Sequence, residues 1–475
     1  MMKAIIFIPE IYYLLASLWF LALSIVPRLK SRGQYLSALL LAAAGTVICL
    51  ITVGLEGSLF FNTYQVDLFS QIFKVLLSMG LFLVICLCPN LTAIKAQHHP
   101  EFYLLLFVCT LAMMMLVSSV HLLAIYIALE LSSYSLYILV ALKRGQGMGI
   151  EAGIKYFLVG ICASALMLFG LALFYGTTQA TYLKDMVEVI PAVIDKPAVM
   201  IGLLLTLSGF FFKLAVFPFH FWAPDVYQGA ANQVTAYIAT ASKVAAIALL
   251  IRMVALTGRG EPSTYLMHAL VILSIVSMTV GNLAAIVQKD IKRLLAYSTV
   301  AHAGYVSIGI LSMNHAGYSA AIFYALALLV MKYTAFLVVV RVADDDHNLQ
   351  IAQLAGLHQR SPLLALALMI TVFSLAGIPP TIGFTGKLFL FVAAMRQGYF
   401  TLVLIAMINV VISLYYYLLV LKAAYLLEPD EELPKLRVSP AIKVLAVALM
   451  AAMVVVGIFP TYVLRLAEAA SRALM

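Results

Sequence analysis

Residues 209–230 read GFFFKLAVFPFHFWAPDVYQGA. Lys213 stands inside an oily run, and Pro218 follows five residues later. A charge and a helix break are each costly where no water is at hand, so their adjacency needs a reason. Proline lacks an N–H and clashes with the carbonyl four residues back, here that of Leu214. A carbonyl freed in this way is tolerated at membrane depth only where protein or a water-filled cavity lines it. The stretch therefore predicts a broken transmembrane helix with polar, hydrated surroundings at its break.

The rest of the chain supports a membrane setting. Of its 475 residues, 64% are hydrophobic and 10% charged, whereas soluble domains carry about 45–50% and about 25%. Apolar runs of helix-spanning length recur from end to end. They predict an all-α integral membrane protein of about fourteen spans, with centres near residues 15, 45, 77, 108, 132, 164, 208, 244, 275, 303, 328, 375, 412 and 451. No glycine- or serine-rich linker divides the chain, so residues 1–475 read as one membrane domain. The first run, AIIFIPEIYYLLASLWFLALSIVP, lacks a basic lead and a small-residue cleavage site and reads as a retained helix.

If the N-terminus faces outward, the inward loops carry Arg28, Lys30, Arg32, Lys95, Lys143, Arg144, Lys289, Lys292, Arg293, Arg341, Arg360, Lys422, Lys435 and Arg437. The outward connections hold few basic residues, such as Lys184, Lys196, Arg252 and Arg259. That bias places both termini on the outer side. It also accounts for the net charge of +9 without a nucleic-acid partner, since the basic residues form no patch. Cys49, Cys86, Cys88, Cys109 and Cys162 all fall in apolar segments and read as buried packing residues rather than a metal site or disulfide.

The opening stretch has an echo. Leu214-Ala215-Val216-Phe217-Pro218 in the seventh span is matched by Leu375-Ala376-Gly377-Ile378-Pro379 in the twelfth, and Lys387 lies near the second copy as Lys213 lies near the first. The two copies would enter the membrane in opposite senses, the arrangement of an inverted repeat whose broken helices frame an ion path. For Pro379 and Pro380 the freed carbonyls are those of Leu375 and Ala376.

An ionisable group within a span costs roughly 2.5–3.5 kcal/mol, so it calls for a function unless it reaches the interface. Glu130 sits mid-span in HLLAIYIALELSSYSLYILV, ~13 Å of helix from either end and too far to snorkel. Lys155 lies early in the sixth span and could either snorkel or form a buried pair with Glu130. Lys243 is flanked by small residues, Ala239, Ala241, Ser242, Ala245 and Ala246, that let helices or water approach closely. With Lys213 and Lys387 these make the leading proton-transfer candidates. Desolvation favours a neutral amine and a nearby carboxylate favours the ammonium, so a Glu–Lys pair that forms and breaks is a switchable proton carrier. His220, His302 and the cluster Tyr297-Ser298-Thr299 could connect such sites, although buried histidines are more often structural.

The chain has no Walker loop, no dinucleotide glycine fingerprint, no CxxC pair and no paired histidines at haem spacing. Redox chemistry and ATP hydrolysis have no seat here, so uphill transport must draw on another subunit or an ion gradient.

Four stretches, FKLAVFPFHFWAPDVYQGA, TASKVAAI, QKDIKRLLAYSTVAHAGY and SLAGIPPTIGFTGKLFLF, together resemble the antiporter-like subunits of bacterial respiratory complex I, NADH:quinone oxidoreductase. The Tyr-Gln-Gly of PDVYQGA and lysine rather than glutamate at 387 point to the N-type subunit. The resemblance runs from about residue 65 to 465. It implies fourteen helices, with two inverted five-helix repeats over 101–257 and 262–427 and with spans 7 and 12 broken. It implies proton translocation through Glu130, Lys155, Lys213, Lys243 and Lys387, and places Lys292 and His302 in or near a central polar axis. It puts NADH, FMN, iron–sulfur clusters and quinone on partner subunits, leaves this chain with no cofactor of its own, and implies other membrane subunits and lipids as partners in a bacterial inner membrane. Two departures stand out. Ala231-Asn232-Gln233-Val234 replaces a proline-containing run, and the long lateral helix of the largest such subunit is missing after Pro460. The alternatives are a subunit of a cation/proton antiporter, a subunit of a related hydrogenase, F420H2 or ferredoxin complex, and a scaffold whose lysines only hold helices together.

Overall fold

The computed structural model describes residues 5–26, 29–143, 147–193, 196–257, 264–343, 345–429 and 434–474. Arg28, Arg144 and Arg259 lie outside the described residues. Thirteen helices among the described residues are long and apolar enough to cross a membrane. The N-terminal ones are α1 (Ile8–Ile25), α2 (Ser31–Ile51), α3 (Leu68–Cys86), α4 (His99–Ser118), α5 (Leu122–Ala141) and α6 (Met148–Thr178). A short connecting helix α7 (Leu183–Val193) leads to α8 (Pro197–Leu214) and its continuation α9 (Trp222–Gly229).

The central helices follow: α10 (Asn232–Ala239), α11 (Ala241–Thr257), α12 (Thr264–Ile286), α13 (Ile291–Leu311) and α14 (His315–Val342). Then come α15 (Pro362–Ala376), α16 (Ile382–Arg396), α17 (Phe400–Leu426), α18 (Pro440–Ile458) and α19 (Thr461–Leu474). The two 15-residue pieces α15 and α16 together make the fourteenth expected crossing.

Burial separates core from rim. Over its most apolar 18 residues the span 232–255 is wholly buried, 315–342 is 94% and 291–311 is 89% buried, against 28% for 31–51 and for 440–458. Small side chains explain the first: Ala236, Ala239, Ala241, Ala245, Ala246 and Ala248 let neighbouring helices close in. α14 packs on α11, α16 and α19, and α9 bridges α6 and α13.

Both expected breaks are present, and they end alike. α8 stops with Ala215 left-handed (φ 61°) and Val216 N–H donating to Phe211 O at 2.9 Å; α15 stops with Gly377 left-handed (φ 89°) and Ile378 N–H donating to Phe373 O at 2.9 Å. This is the hydrogen-bonded turn that satisfies carbonyls at a helix C-terminus. It aligns Ala215 with Gly377 and Pro218 with Pro380, one residue on from the echo, which set Pro218 against Pro379. Lys213 therefore corresponds to Leu375 and has no lysine counterpart in its own position.

Five features were not foreseen. A hairpin of β1 (Gly57–Leu59) and β2 (Tyr64–Val66) lies between α2 and α3. The eighth span is interrupted at Thr240, three residues before Lys243. α19 buries Ala467, Ala470, Ser471 and Leu474 on one face against α14 and α3. Arg252, read from the sequence as an outward loop charge, lies within α11 at 1% exposure and makes a two-pronged ion pair with Asp67 at 2.8 and 2.9 Å. Cys162, expected to be buried, is exposed on α6.

Candidate functional site

The end of α8 carries Lys213, which is 1% exposed. Its ammonium donates to Ser132 Oγ at 2.9 Å and Ser133 Oγ at 3.1 Å on α5, within one turn of Glu130. Glu130 is itself buried, and Ser164 of α6 donates to its carboxylate. Serine hydroxyls thus hold both charged groups in place of a direct Glu–Lys bond, each hydroxyl keeping its own proton on a main-chain carbonyl or a partner.

The carbonyls at the open end of α8 are satisfied from elsewhere. Lys243, one turn into α11, donates to Lys213 O at 2.8 Å, and Trp222 Nε1 donates to Phe212 O at 3.1 Å. The Lys243 ammonium also sits 4.6 Å from the Trp222 ring centroid, a cation–π contact. A helix C-terminus carries partial negative charge, which favours a cation beside it.

The second break is closed by its own lysine. Lys387 of α16 donates to Leu375 O at 2.9 Å and Ala376 O at 3.0 Å, the two carbonyls that the prolines free. It lies 4.9 Å from the Tyr305 ring centroid. Gly377 makes room: a β-carbon there would stand 3.0 Å from Lys387 Cδ and 3.3 Å from its Nζ.

Between the breaks lies a cavity of about 10 Å³, the volume one water needs. Leu214 at the end of α8, Lys243, Thr299, His302 and Lys332 line it. Lys332 of α14 is 1% exposed and donates to Leu295 O at 3.0 Å and to Ser298. His302 meets Tyr324 Oη at 2.8 Å and Tyr417 Oη at 3.4 Å, and its ring lies 5.9 Å from that of Tyr305, on which Lys387 rests. A row of titratable groups therefore runs from Glu130 and Lys213 through Lys243, Lys332 and His302 to Lys387. The cavity adjoins Leu214 at the first break, and a groove of about 850 Å³, lined mostly by exposed apolar side chains such as Leu388, Val392 and Met407, reaches Gly377 and Lys387 at the second.

The other candidates lie off this row. Lys155 forms no buried pair with Glu130. Its side chain is 46% exposed and is bonded to Glu151 at 2.8 Å and Asp225 at 2.9 Å, because its position on α6 faces outward near the helix start. Asp225 also accepts from Arg293 at 2.7 Å, so this is a polar clasp between α6, α9 and α13. Lys292 is fully buried and donates to Ala230 O at 3.0 Å. His220 packs its ring 5.6 Å from Phe217 and 4.3 Å from Phe221 and does not line the cavity.

Lys332 and two ion pairs were not foreseen. Lys332 stands ten residues from the end of a 28-residue helix and satisfies the same rule that found Glu130. Lys74 pairs with Glu10 at 2.6 Å, and Lys143 pairs with Asp346 at 3.0 Å. Each of these last two pairs joins residues far apart in sequence, which a one-segment reading cannot match.

Residues 119–413 match the family described as NADH:quinone oxidoreductase/Mrp antiporter, transmembrane. The chain is 66% identical over 469 residues to NADH-quinone oxidoreductase subunit N 2 of Syntrophobacter fumaroxidans, covering 99% of each chain. It is 40% identical to the subunit of the same name in Opitutus terrae, covering 96% of this chain and 95% of that one. Among solved structures it resembles a chain of respiratory complex I from Thermus thermophilus with bound aureothin, with TM-score 0.83, 35% identity, and 96% and 98% of the two chains covered. A chain of the Mrp complex from Dietzia sp. shares the fold at TM-score 0.88 and 22% identity, covering 98% of this chain and 97% of that chain.

Proposed function

As a member of the NADH:quinone oxidoreductase/Mrp antiporter membrane family, this chain is, we propose, the N-type proton-translocating membrane subunit of a redox-driven NADH:quinone oxidoreductase. It works beside other membrane subunits, and we assign NADH, FMN, the iron–sulfur clusters and quinone to those partners. We place it in a bacterial inner membrane with both termini on the outer side, on the strength of the loop-charge bias. We also read 101–257 and 262–427 as the two inverted repeats, a reading supported by the shared hydrogen bonding at the two breaks.

The observation that carries the mechanism is the pair of lysines, Lys243 and Lys387, each of which closes one broken helix, with Lys243 also facing a small cavity it shares with His302 and Lys332. In this reading a proton enters near Glu130 and Lys213, where Ser132, Ser133 and Ser164 hold the two charges apart yet hydrogen-bonded. Lys243 passes it across the cavity toward Lys332 and His302, whose imidazole can accept on one nitrogen and donate from the other. Tyr324, Tyr417 and Tyr305 fill the interval to Lys387. The proton leaves from Lys387, the last buried ammonium of the row. Redox work done in the partners would change which of these lysines is charged.

The test is Lys213→Ala in the assembled complex in native membrane vesicles. Proton pumping and coupled quinone reduction fall together while the complex still runs at full size on a native gel. Full pumping by that assembled variant overturns the reading, and loss of the complex itself favours a scaffold. Exchange of Na⁺ or K⁺ for protons by the chain in liposomes, with no redox subunit present, would favour an antiporter.

A further inference from the structure

Two asparagines interrupt apolar runs: Asn282 in MTVGNLAAI on α12 and Asn409 in AMINVV on α17. Both are buried, at 0% and 2% exposure. Hydrocarbon offers an amide no partner, so a carboxamide inside a span must be satisfied by neighbouring helices. Asn282 reaches its neighbours because two glycines let α12 and α13 close in. A β-carbon at Gly281 would stand 2.6 Å from Ala301 N, and one at Gly304 would stand 2.8 Å from Ser274 O.

Both polar ends of the Asn282 side chain are used. Its Nδ2 donates to Tyr305 Oη at 3.2 Å and to Asn409 at 3.1 Å, through both the main-chain and the side-chain oxygen. Its Oδ1 accepts from Tyr416 Oη at 3.0 Å. The main-chain oxygen of Asn409 can only accept, which assigns the nitrogen of Asn282 to that side. Asn409 Nδ2 donates in turn to Ile405 O at 3.0 Å and Thr279 Oγ1 at 3.3 Å.

The two tyrosines flank the row. Tyr305 carries the Lys387 ammonium 4.9 Å from its ring centroid and stands 5.9 Å from the His302 ring. Tyr416 packs at 4.4 Å against Tyr417, whose hydroxyl meets His302 Nε2 at 3.4 Å. One carboxamide therefore grips a tyrosine on each side of the interval between His302 and Lys387. A cation–π contact depends on the ring presenting its face. Anchoring Tyr305 Oη fixes χ1, and the rings of His302 and of Phe391, at 6.3 Å, limit rotation about χ2. A carboxamide has no ionisable proton near neutral pH, so Asn282 itself carries none.

We propose that Asn282 is a positioning residue for proton transfer, setting the interval between His302 and Lys387 by holding Tyr305 with its donor end and Tyr416 with its acceptor end. This rests on the proton-translocating reading above. Asn282 acts through Lys387 and touches no transferred proton. An amide that only ties α12 to α17 would instead affect the stability of the bundle and nothing more.

The test uses the whole complex in native membrane vesicles and reads protons pumped per NADH oxidised, with the melting temperature of the same proteins. Asn282→Leu lowers that ratio severalfold, out of proportion to a modest change in melting. Asn282→Gln, which keeps both ends of the amide, restores most of it. Adding Asn282→Leu to Lys387→Met costs no further pumping, because the asparagine works through that lysine. A normal ratio in Asn282→Leu, equal loss in Asn282→Leu and Asn282→Gln, or a further loss in the double variant overturns the assignment. If Asn282→Leu does not assemble, Tyr305→Phe with Tyr416→Phe removes the two hydroxyls it holds and keeps both rings. A severalfold fall there supports the assignment, and a normal ratio overturns it. Failure here with a Lys213→Ala complex still inactive would leave the general translocating role intact, whereas full pumping by Lys213→Ala would remove both.

Discussion

Lys243 Nζ lies 2.8 Å from the main-chain oxygen of Lys213, so one lysine closes the helix that carries the other. In the register set by Ala215 and Gly377, Lys213 corresponds to Leu375, whose oxygen accepts from Lys387 at 2.9 Å. The same carbonyl is thus capped from α11 in one break and from α16 in the other. A cap that carries a transferable proton ties helix-end geometry to protonation, since the negative end of the helix interacts with a cation by about 0.3–1 kcal/mol and up to ~2 when partly buried.

Replacing Lys243 with methionine keeps the volume of the stem and removes the donor. The Lys213 carbonyl is left unpaired at a cost of about 1–3 kcal/mol, too little by itself to dismantle a helix this deeply packed. The expected result is an assembled complex whose pumping and quinone reduction are both reduced severalfold. Wild-type pumping in vesicles by an assembled Lys243→Met complex would sink the claim.

Lys387 separates a charge effect from a capping effect. Lys387→Met leaves Leu375 O and Ala376 O without a donor, whereas Lys387→Glu aims a carboxylate at two carbonyls and a negative helix end. Both variants should lose pumping. The glutamate variant should also assemble less, read as a weaker full-size band on a native gel. Equal assembly of the two would mean that Lys387 does not cap α15 in the working complex.

Much of this was legible from local rules. Prolines inside apolar runs located both breaks, and the carbonyls assigned to Pro379 and Pro380 are those that Lys387 caps. The seventh span shows the limit of that reasoning: the proline rule names the carbonyl of Leu214, but it cannot say that a lysine thirty residues away would serve its neighbour. Burial of Glu130 followed from its distance to the helix ends, yet its partner did not. Lys155 looked like a partner because it lies on the next helix, but helical phase turns it outward to Asp225. The repeat register slipped by one because matching letters, Leu-Ala and Pro, outweighed the left-handed turn that fixes the alignment in space. Arg252 was read as a loop charge because an apolar run loses its edge where a charge sits, and its partner Asp67 is far away in sequence.

Arg252 and Asp67 give a stability test independent of transport. The pair is buried, two-pronged, and joins α11 to the start of α3, where the Asp67 side chain also accepts from Ser70 N–H. Removing one charge and leaving the other buried costs about 3–5 kcal/mol. Arg252→Met should therefore lower the thermal stability of the purified complex strongly. Asp67→Asn keeps an oxygen for the helix cap, so the double variant Arg252→Met with Asp67→Asn should recover much of the loss. Additive losses in a melting experiment on the four proteins would show that the two groups do not act as a pair.

The serines between Glu130 and Lys213 are the least expected part of the row and offer the sharpest functional test. Ser132 and Ser133 both accept from the Lys213 ammonium, at 2.9 and 3.1 Å, while their own protons go to Leu129 O. With either serine changed to alanine, the other hydroxyl still accepts, and the lysine keeps one bond of the charge-assisted kind worth about 1.5–3 kcal/mol. With both changed, the ammonium loses both hydroxyl acceptors on α5. Each single variant should therefore pump at close to the normal rate, and Ser132→Ala with Ser133→Ala should lose far more than the two single losses combined. A structural role alone would move melting temperature and pumping in parallel, non-additively in both, because the two adjacent serines share Lys213 as a partner. The measurement is the ratio of protons pumped to NADH oxidised in vesicles, taken with the melting temperature of the same complexes. A non-additive fall in pumping out of proportion to a modest change in melting places the hydroxyls in the proton path; changes that run in parallel in both would remove them from it.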